Sequence, residues 1–312
     1  MRESEYYLCA DIGGTVVKSG LLTRDGEVLF VRERATSTLA DTAAVLNLLE
    51  NTAAEFSSGS TPPAGICIST TGIVDPWNGR IASGSKTAIE GYGGAPLREE
   101  LHKRTGLSVE VENDVNCAAL GEYWLGAARN FRNVVCVTVG TGIGGALILD
   151  GRLYRGSRFD AMEVGHVPFF PSNWENRAST RALIFDYAKR AQRSPSEVDG
   201  RFVLSHARDG EEEAVRAVDE MCFYLAQGIA ALFAVLAPDV FVFGGGVADS
   251  MDFLLPRIES HLKRTLDPRF RENVVFKAAE LGNRAGLAGA LRHFLDMREA
   301  RKKQEAKQEE MS

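Results

Sequence analysis

EYYLCADIGGTVVKSGLLTRDGEVLFVRERA, residues 5–35, decides the fold. Tyr6 to Ala10 is apolar and β-prone, Gly13-Gly14 breaks the run, Val16 to Leu22 returns, and Asp25-Gly26 turns the chain into Val28 to Arg32. Asp-Gly between two apolar runs is a strong hairpin signal. The stretch therefore reads as a three-stranded β-meander with a glycine turn after its first strand, and not as a strand–helix crossover. The theme returns at residues 133–155, NVVCVTVGTGIGGALILDGRLYR. Val134 to Val139 is a strand, Gly140 to Gly145 a glycine turn, Ala146 to Leu149 the return, and Asp150-Gly151 the turn into a third strand. The gap between the glycine turn and Asp-Gly is longer in the first copy, so the echo is structural and not a repeat of sequence. Two such meanders, about one domain apart, predict two related lobes.

The rest of the chain supplies helices and buried strands. Asp41 is placed to cap a helix over 42–57. Ser57 to Pro63 reads as a loop, Gly65 to Ser69 as a buried strand, Leu97 to Arg104 as a short helix and Leu107 to Val111 as a short strand. Apolar periodicity predicts a long helix over 212–236, ending before Pro238. Asp239 to Phe243 is a buried strand followed by Gly244-Gly245-Gly246, and helices over 251–265 and 285–305 complete the chain. The charged tail, MREARKKQEAKQEEMS, is a solvated helix extension or disorder.

A chain of 312 residues, 45% apolar and 25% charged, suits two soluble α/β domains. A net charge of -6 argues against a nucleic-acid partner, whose readers carry basic patches. Cys9, Cys67, Cys117, Cys136 and Cys222 lack metal or redox spacing and fall largely in apolar runs. They read as small core residues in a reducing cytoplasm. The N-terminus lacks an uninterrupted signal core, and no apolar run reaches the ~18 residues of a membrane helix, so no membrane partner is expected.

Three glycine turns each follow a strand: Gly13-Gly14, the turn containing Gly140, Thr141, Gly142, Gly144 and Gly145, and Gly244-Gly245-Gly246. Glycine permits positive φ and close approach, and successive backbone N–H groups in such turns form anion nests. None has the Gly-Lys-Ser/Thr of a P-loop or the full dinucleotide spacing. Asp11 stands immediately before the first turn. A carboxylate beside a phosphate nest is repulsive unless a cation intervenes, and Mg²⁺ prefers few carboxylates, several waters and substrate phosphates. Asp11 thus suits a Mg²⁺-ATP site, with the Thr15 hydroxyl and the Lys18 cation near the phosphates. Asn113-Asp114 opens an apolar-periodic helix. One of the two is its N-cap, or Asp114 is a general base kept ionised by the helix N-terminus. Glu163, His166 and Glu175 together can hold vicinal sugar hydroxyls.

On these residues the chain resembles the ROK family of sugar kinases and their repressor relatives, over about 6 to 295. The resemblance rests on Asp11-Ile12-Gly13-Gly14-Thr15, Gly72 to Asp75, Glu112 to Glu122, residues 140–156, Glu163-Val164-Gly165-His166, residues 243–247 and residues 282–290. It implies a two-lobed actin/hexokinase-like (ribonuclease H-like) α/β fold. One lobe covers 1–116 plus 284–312 and the other 117–283, with ATP in the cleft. It implies Asp11 on the metal, Gly13, Gly14, Thr15 and the Gly140–Gly145 turn on phosphates, and Gly244, Gly245 and Gly246 under the adenosine. Asp114 is then the base for a sugar hydroxyl, expected to be O6, and Asn113, Glu163, His166 and Glu175 hold the sugar. A homodimer is usual in the family.

Two departures stand out. Where the family carries a cysteine-rich zinc segment, residues 167–178 read VPFFPSNWENRA. No structural zinc is expected, which leaves His166 to the sugar, with Phe169, Phe170 and Trp174 packing in place of a metal. Ala88 and Glu90 replace an Asn and a Pro common in relatives, so the sugar preference differs from that of a plain glucokinase. The alternatives are a sugar-binding regulator, for whose DNA-binding segment no room precedes Tyr6, and a non-catalytic relative.

Overall fold

The computed structural model describes residues 5–57, 62–82, 89–271 and 274–310. The chain forms two compact units, one of 1–126, 156–160 and 283–312 and one of 127–155 and 161–282.

The first unit is built on strands β1 (Tyr6–Ile12), β2 (Val16–Thr23), β3 (Val28–Ala35), β4 (Ile66–Thr70) and β5 (Val109–Asn113), in the order β3-β2-β1-β4-β5. β1 to β3 form the meander, while β4 and β5 lie parallel to β1. Alternation sorts the apolar residues of β1 between two cores. Leu8, Ala10 and Ile12 join Val45, Leu46 and Leu49 of helix α1 (Thr42–Ser57). Tyr7 and Cys9 join Leu287, Leu291 and Phe294 of the C-terminal helix, Ala285–Glu310. Both faces of the central strand are covered, which explains its near-continuous apolar run. Asp41 caps α1, its Oδ1 accepting the Ala44 N–H at 2.8 Å, and a short helix α2 spans Leu97–Thr105.

The second unit repeats the plan with β6 (Val134–Val139), β7 (Ile143–Leu149), β8 (Arg152–Tyr154), β9 (Val240–Gly244) and β10 (Phe276–Ala278), in the order β8-β7-β6-β9-β10. Again a meander lies on one side of the first strand and parallel strands on the other. Asp150 and Gly151 both have positive φ, 51° and 75°, as a type I′ hairpin turn requires. Helix Glu212–Leu236 is the core helix of this unit. By length and hydropathy alone it could cross a bilayer, against the expectation that no segment would, but its apolar face, with Val218, Met221, Leu225 and Ile229, is buried in the core.

Several expectations shift. The fifth strand is Val109–Asn113 and not Leu107 to Val111. The first unit runs to 126, where the sequence placed its break at 116, because helix α3 (Asp114–Leu125) packs on the C-terminal helix backbone to backbone. Gly121 faces the Ala285 carbonyl and Gly289 the Cys117 carbonyl, with no room for a Cβ at either. The C-terminal helix continues to Glu310, beyond the expected 305. The five cysteines are buried and free. Ala88, and residues 58–61 of the expected loop, lie outside the described residues.

The segment that departs from the family's zinc pattern folds as a small hairpin, Pro168–Phe169 against Ser172–Asn173. Phe169 stacks on Trp174 with centroids 6.3 Å apart, and the buried Trp174 donates Nε1–H to the Tyr224 carbonyl at 2.9 Å. Phe170 does not share in this packing. It sits at the hairpin tip, 97% exposed, because a two-residue connection turns its side chain outward.

Candidate active site

In the first unit three parallel strands end side by side. Their register sets Asp11, Ser69 and Glu112 level, and Ile12, Thr70 and Asn113 one residue further on. In sheets of this kind, ligands bind outside the carboxyl ends of the strands. Ser69 donates its hydroxyl to Asp11 Oδ1 at 2.6 Å. Burial pushes the Asp11 carboxyl above the ordinary carboxylate range, while the Ser69 hydrogen bond and the Lys18 charge pull it back. The C-terminal helix begins against the same carboxylate: a Cβ on Gly286 would lie 2.6 Å from Asp11 Cγ and Oδ2. Lys18 is the cross-strand partner of Asp11, and its Nζ donates to Asn283 Oδ1 at 3.2 Å.

Asn113 is the N-cap of α3. Its Oδ1 accepts the N–H groups of Val115 and Asn116 at 2.9 and 3.0 Å. Its Nδ2 donates to the Gly72 carbonyl and to Asp114 Oδ1, both at 3.0 Å. Two donors and two lone pairs are thereby spent within the chain. Asp114 occupies the first helical position, where its Oδ1 also takes the Val115 N–H at 2.9 Å. Of the pair, then, Asn113 is the cap, and Asp114 is the carboxylate that the cap orients. Beside them Tyr92 is buried with its hydroxyl 2.7 Å from Thr70 Oγ1, and burial raises that phenol.

In the second unit the Gly140–Gly145 turn joins β6 to β7. Gly140 donates to the Gly142 carbonyl at 2.9 Å and accepts the Thr180 N–H at 2.8 Å. Glu175 braces this turn. Its Oε2 accepts the Ile143 N–H at 3.2 Å, its Oε1 takes Arg181 at 3.0 Å, and its carboxylate leaves no room for a Cβ on Gly142. Glu163 and His166 are exposed at the two ends of a 3₁₀ turn, Val164–His166. Gly165 in that turn presses on the Ile143 carbonyl and on Glu175. Met162, just before Glu163, is held left-handed at φ 67°, a conformation costly for a bulky side chain. Glu163, His166, Glu175 and the glycine turn are thus gathered in one place. Gly244 to Gly246 leave β9 beside the end of β6: a Cβ on Gly245 would meet the Val139 carbonyl at 2.6 Å, and its φ is 79°.

Positive φ, expected to be a common reason for glycine in these turns, holds only for Gly245 among the glycines of the three. Gly142 and Gly145 are fixed by crowding. Gly14 and Gly140 are fixed by neither, since a Cβ on either would meet no atom of the chain within 4 Å. Among the described residues no group of three or more His, Cys, Asp and Glu side chains could hold a metal. Sequence reasoning missed Ser69, Glu112, Gly286 and Arg181. For Glu112 the signal was its place in the strand-to-helix segment; Ser69 shows only through the strand register, Gly286 through helix packing and Arg181 through its bond to Glu175.

The chain matches the ROK family model over residues 7–296. It is 32% identical over 305 residues to a glucokinase of Streptomyces coelicolor, covering 90% of this chain and 94% of that one. It is 31% identical over 293 residues to a beta-glucoside kinase of Listeria monocytogenes, covering 91% and 96%. Among solved structures it resembles a ROK family glucokinase from Streptomyces griseus in complex with glucose and AMPPNP, with a TM-score of 0.79, 30% identity, and 92% and 98% of the two chains covered. The chain belongs to the ROK family.

Proposed function

We propose that this ROK-family chain transfers the γ-phosphate of ATP to a hydroxyl, O6, of a hexose or amino-hexose. The observation that carries the reading is Asp114. It is a carboxylate on the first residue of α3, oriented by the capping Asn113, at the same strand ends as Asp11. A helix N-terminus favours its ionised form, so it can serve as a base at neutral pH.

In this mechanism Asp114 accepts the hydroxyl proton as the sugar oxygen attacks the γ-phosphorus in line, and ADP leaves. Glu163 and His166 hold vicinal sugar hydroxyls by accepting and donating in fixed directions. Glu175 joins them while fixing the glycine turn. Gly13, Gly14, Thr15, Lys18, Gly140, Thr141, Gly142, Gly144 and Gly145 hold phosphates through backbone N–H groups, hydroxyls and one cation. Gly244, Gly245 and Gly246 lie under the adenosine. Asp11, a single carboxylate braced by Ser69, fits a Mg²⁺ ion that takes most of its ligands from water and phosphate. When bound, that ion neutralises charge on the phosphates. The buried free thiols fit a reducing cytoplasm. A homodimer completes the proposal.

ADP release across a panel of glucose, N-acetylmannosamine, other hexoses and β-glucosides tests it. At least one sugar should yield ADP and sugar phosphate in equal amounts. Sugar-independent ATP loss, or no turnover with any sugar, would overturn the reading.

A further inference from the structure

One face of the C-terminal helix meets both carboxylate segments of the first unit. Gly286, Gly289 and His293 recur at helical spacing and lie on one side. Gly286 abuts the Asp11 carboxylate. Gly289 abuts the Cys117 carbonyl, one turn into the helix that Asp114 opens. His293 is buried, and its Nδ1 stands 3.8 Å from Oε2 of Glu112, which is buried too. The other Glu112 oxygen accepts the Asn113 N–H at 2.8 Å and Asn116 Nδ2 at 3.0 Å. One carboxylate therefore grips the chain on both sides of Asp114. A histidine–carboxylate pair taken fully out of water is poor material for stability, since apolar side chains of similar volume would serve as well.

We propose that this helix face is a positioning rail for the reaction. Gly286 seats Asp11, and His293, acting through Glu112, seats the turn that carries Asp114. The rail rests on the roles assigned above to Asp11 and Asp114, and it makes Gly286, Glu112 and His293 positioning residues. A single rigid helix then fixes the distance between the carboxylate on the phosphate side and the base. A misplacement of about 1 Å at a reacting group can cost roughly 100-fold in rate.

Three variants test the rail: His293→Leu, His293→Asn and Gly286→Ala. Each is measured for kcat, for KM of sugar and ATP, and by crystallography. His293→Leu should lower kcat roughly 10- to 100-fold with the sugar KM nearly unchanged. His293→Asn, whose amide can stand where Nδ1 does, should recover most of that loss. Gly286→Ala should lower kcat and displace the Asp11 carboxylate. Wild-type kcat in both His293→Leu and Gly286→Ala, or equal losses in His293→Leu and His293→Asn, would overturn the rail. If His293→Leu does not fold, Gly286→Ala decides by the same kcat criterion. The crystal structures decide apart from activity: Asp11 and Asp114 carboxylates within about 0.5 Å of their wild-type places in the folded variants also overturn it. A wild type that phosphorylates no sugar removes the kinase reading instead, and those positions still judge the rail.

Discussion

Replacing Gly14 or Gly140 by alanine separates a glycine kept for a ligand from one kept for the fold. A methyl group at either position would meet no atom of the chain within 4 Å, and neither glycine is left-handed. The folded state therefore bears no strain. Alanine also restricts the unfolded chain, which stabilises by about 0.4–1 kcal/mol at a compatible site. For units of this size that raises the melting midpoint by up to about 4 °C. Gly245→Ala is the counter-case. Its φ of 79° and the Val139 carbonyl 2.6 Å from the added carbon predict a net loss of stability instead. If phosphates approach the backbone at Gly14 and Gly140, the new methyl groups stand in their way. KM for ATP should then rise about 10- to 100-fold, which is about 1.4–2.8 kcal/mol of binding. Thermal unfolding with and without ATP, together with an ADP-release assay, reads both quantities. An unchanged KM for ATP in both variants would refute the reasoning, and so would a lowered melting midpoint in either.

Further outcomes follow from the same geometry. Ser69→Ala removes a hydrogen bond that favours ionised Asp11, so the carboxyl should ionise at a higher pH and the acid limb of kcat/KM should move upward; an unmoved limb contradicts the role of Asp11. Burial raises Asp11 above its unfolded value, so the folded state binds the extra proton and its contribution to stability falls as pH rises through that window; Asp11→Asn should flatten this slope in unfolding measured against pH. Trp174→Ala should destabilise the second unit by about 3–5 kcal/mol by thermal or denaturant unfolding, since the ring is buried against Phe169 and Gly228; a loss under about 1 kcal/mol contradicts packing as the support of this segment. Metal analysis of the purified protein should find no zinc, and one zinc per chain would overturn that expectation.

Local chemistry carried most of the fold. The Asp-Gly turns announced both meanders, and each of the first four predicted strands of the first unit begins within a residue of its observed start, the third running three residues further than expected. What local chemistry could not show was contact at long range. Helix α3 stays with the first unit because Gly121 and Gly289 let two backbones touch across more than 160 residues of chain, and no composition shift marks that contact. The site was legible by residue type but less so by role. Asn113, read as a sugar contact or a cap, caps α3 through its Oδ1 and reaches the Gly72 carbonyl and Asp114 through its Nδ2. Glu175, read as a sugar ligand, also braces the glycine turn through Ile143. His293 looks in sequence like any aromatic residue and Glu112 is marked only by its place in the strand-to-helix segment; their shared burial is what ties the two together.

The base assigned to Asp114 is the claim on which the account stands. Turnover of Asp114→Asn against wild type, on whichever sugar the wild type accepts, with sugar binding measured by calorimetry, tests it most directly. With Asp114 as the base, turnover should fall roughly 10²–10⁴-fold with sugar affinity nearly intact. Turnover within about tenfold of wild type would contradict it.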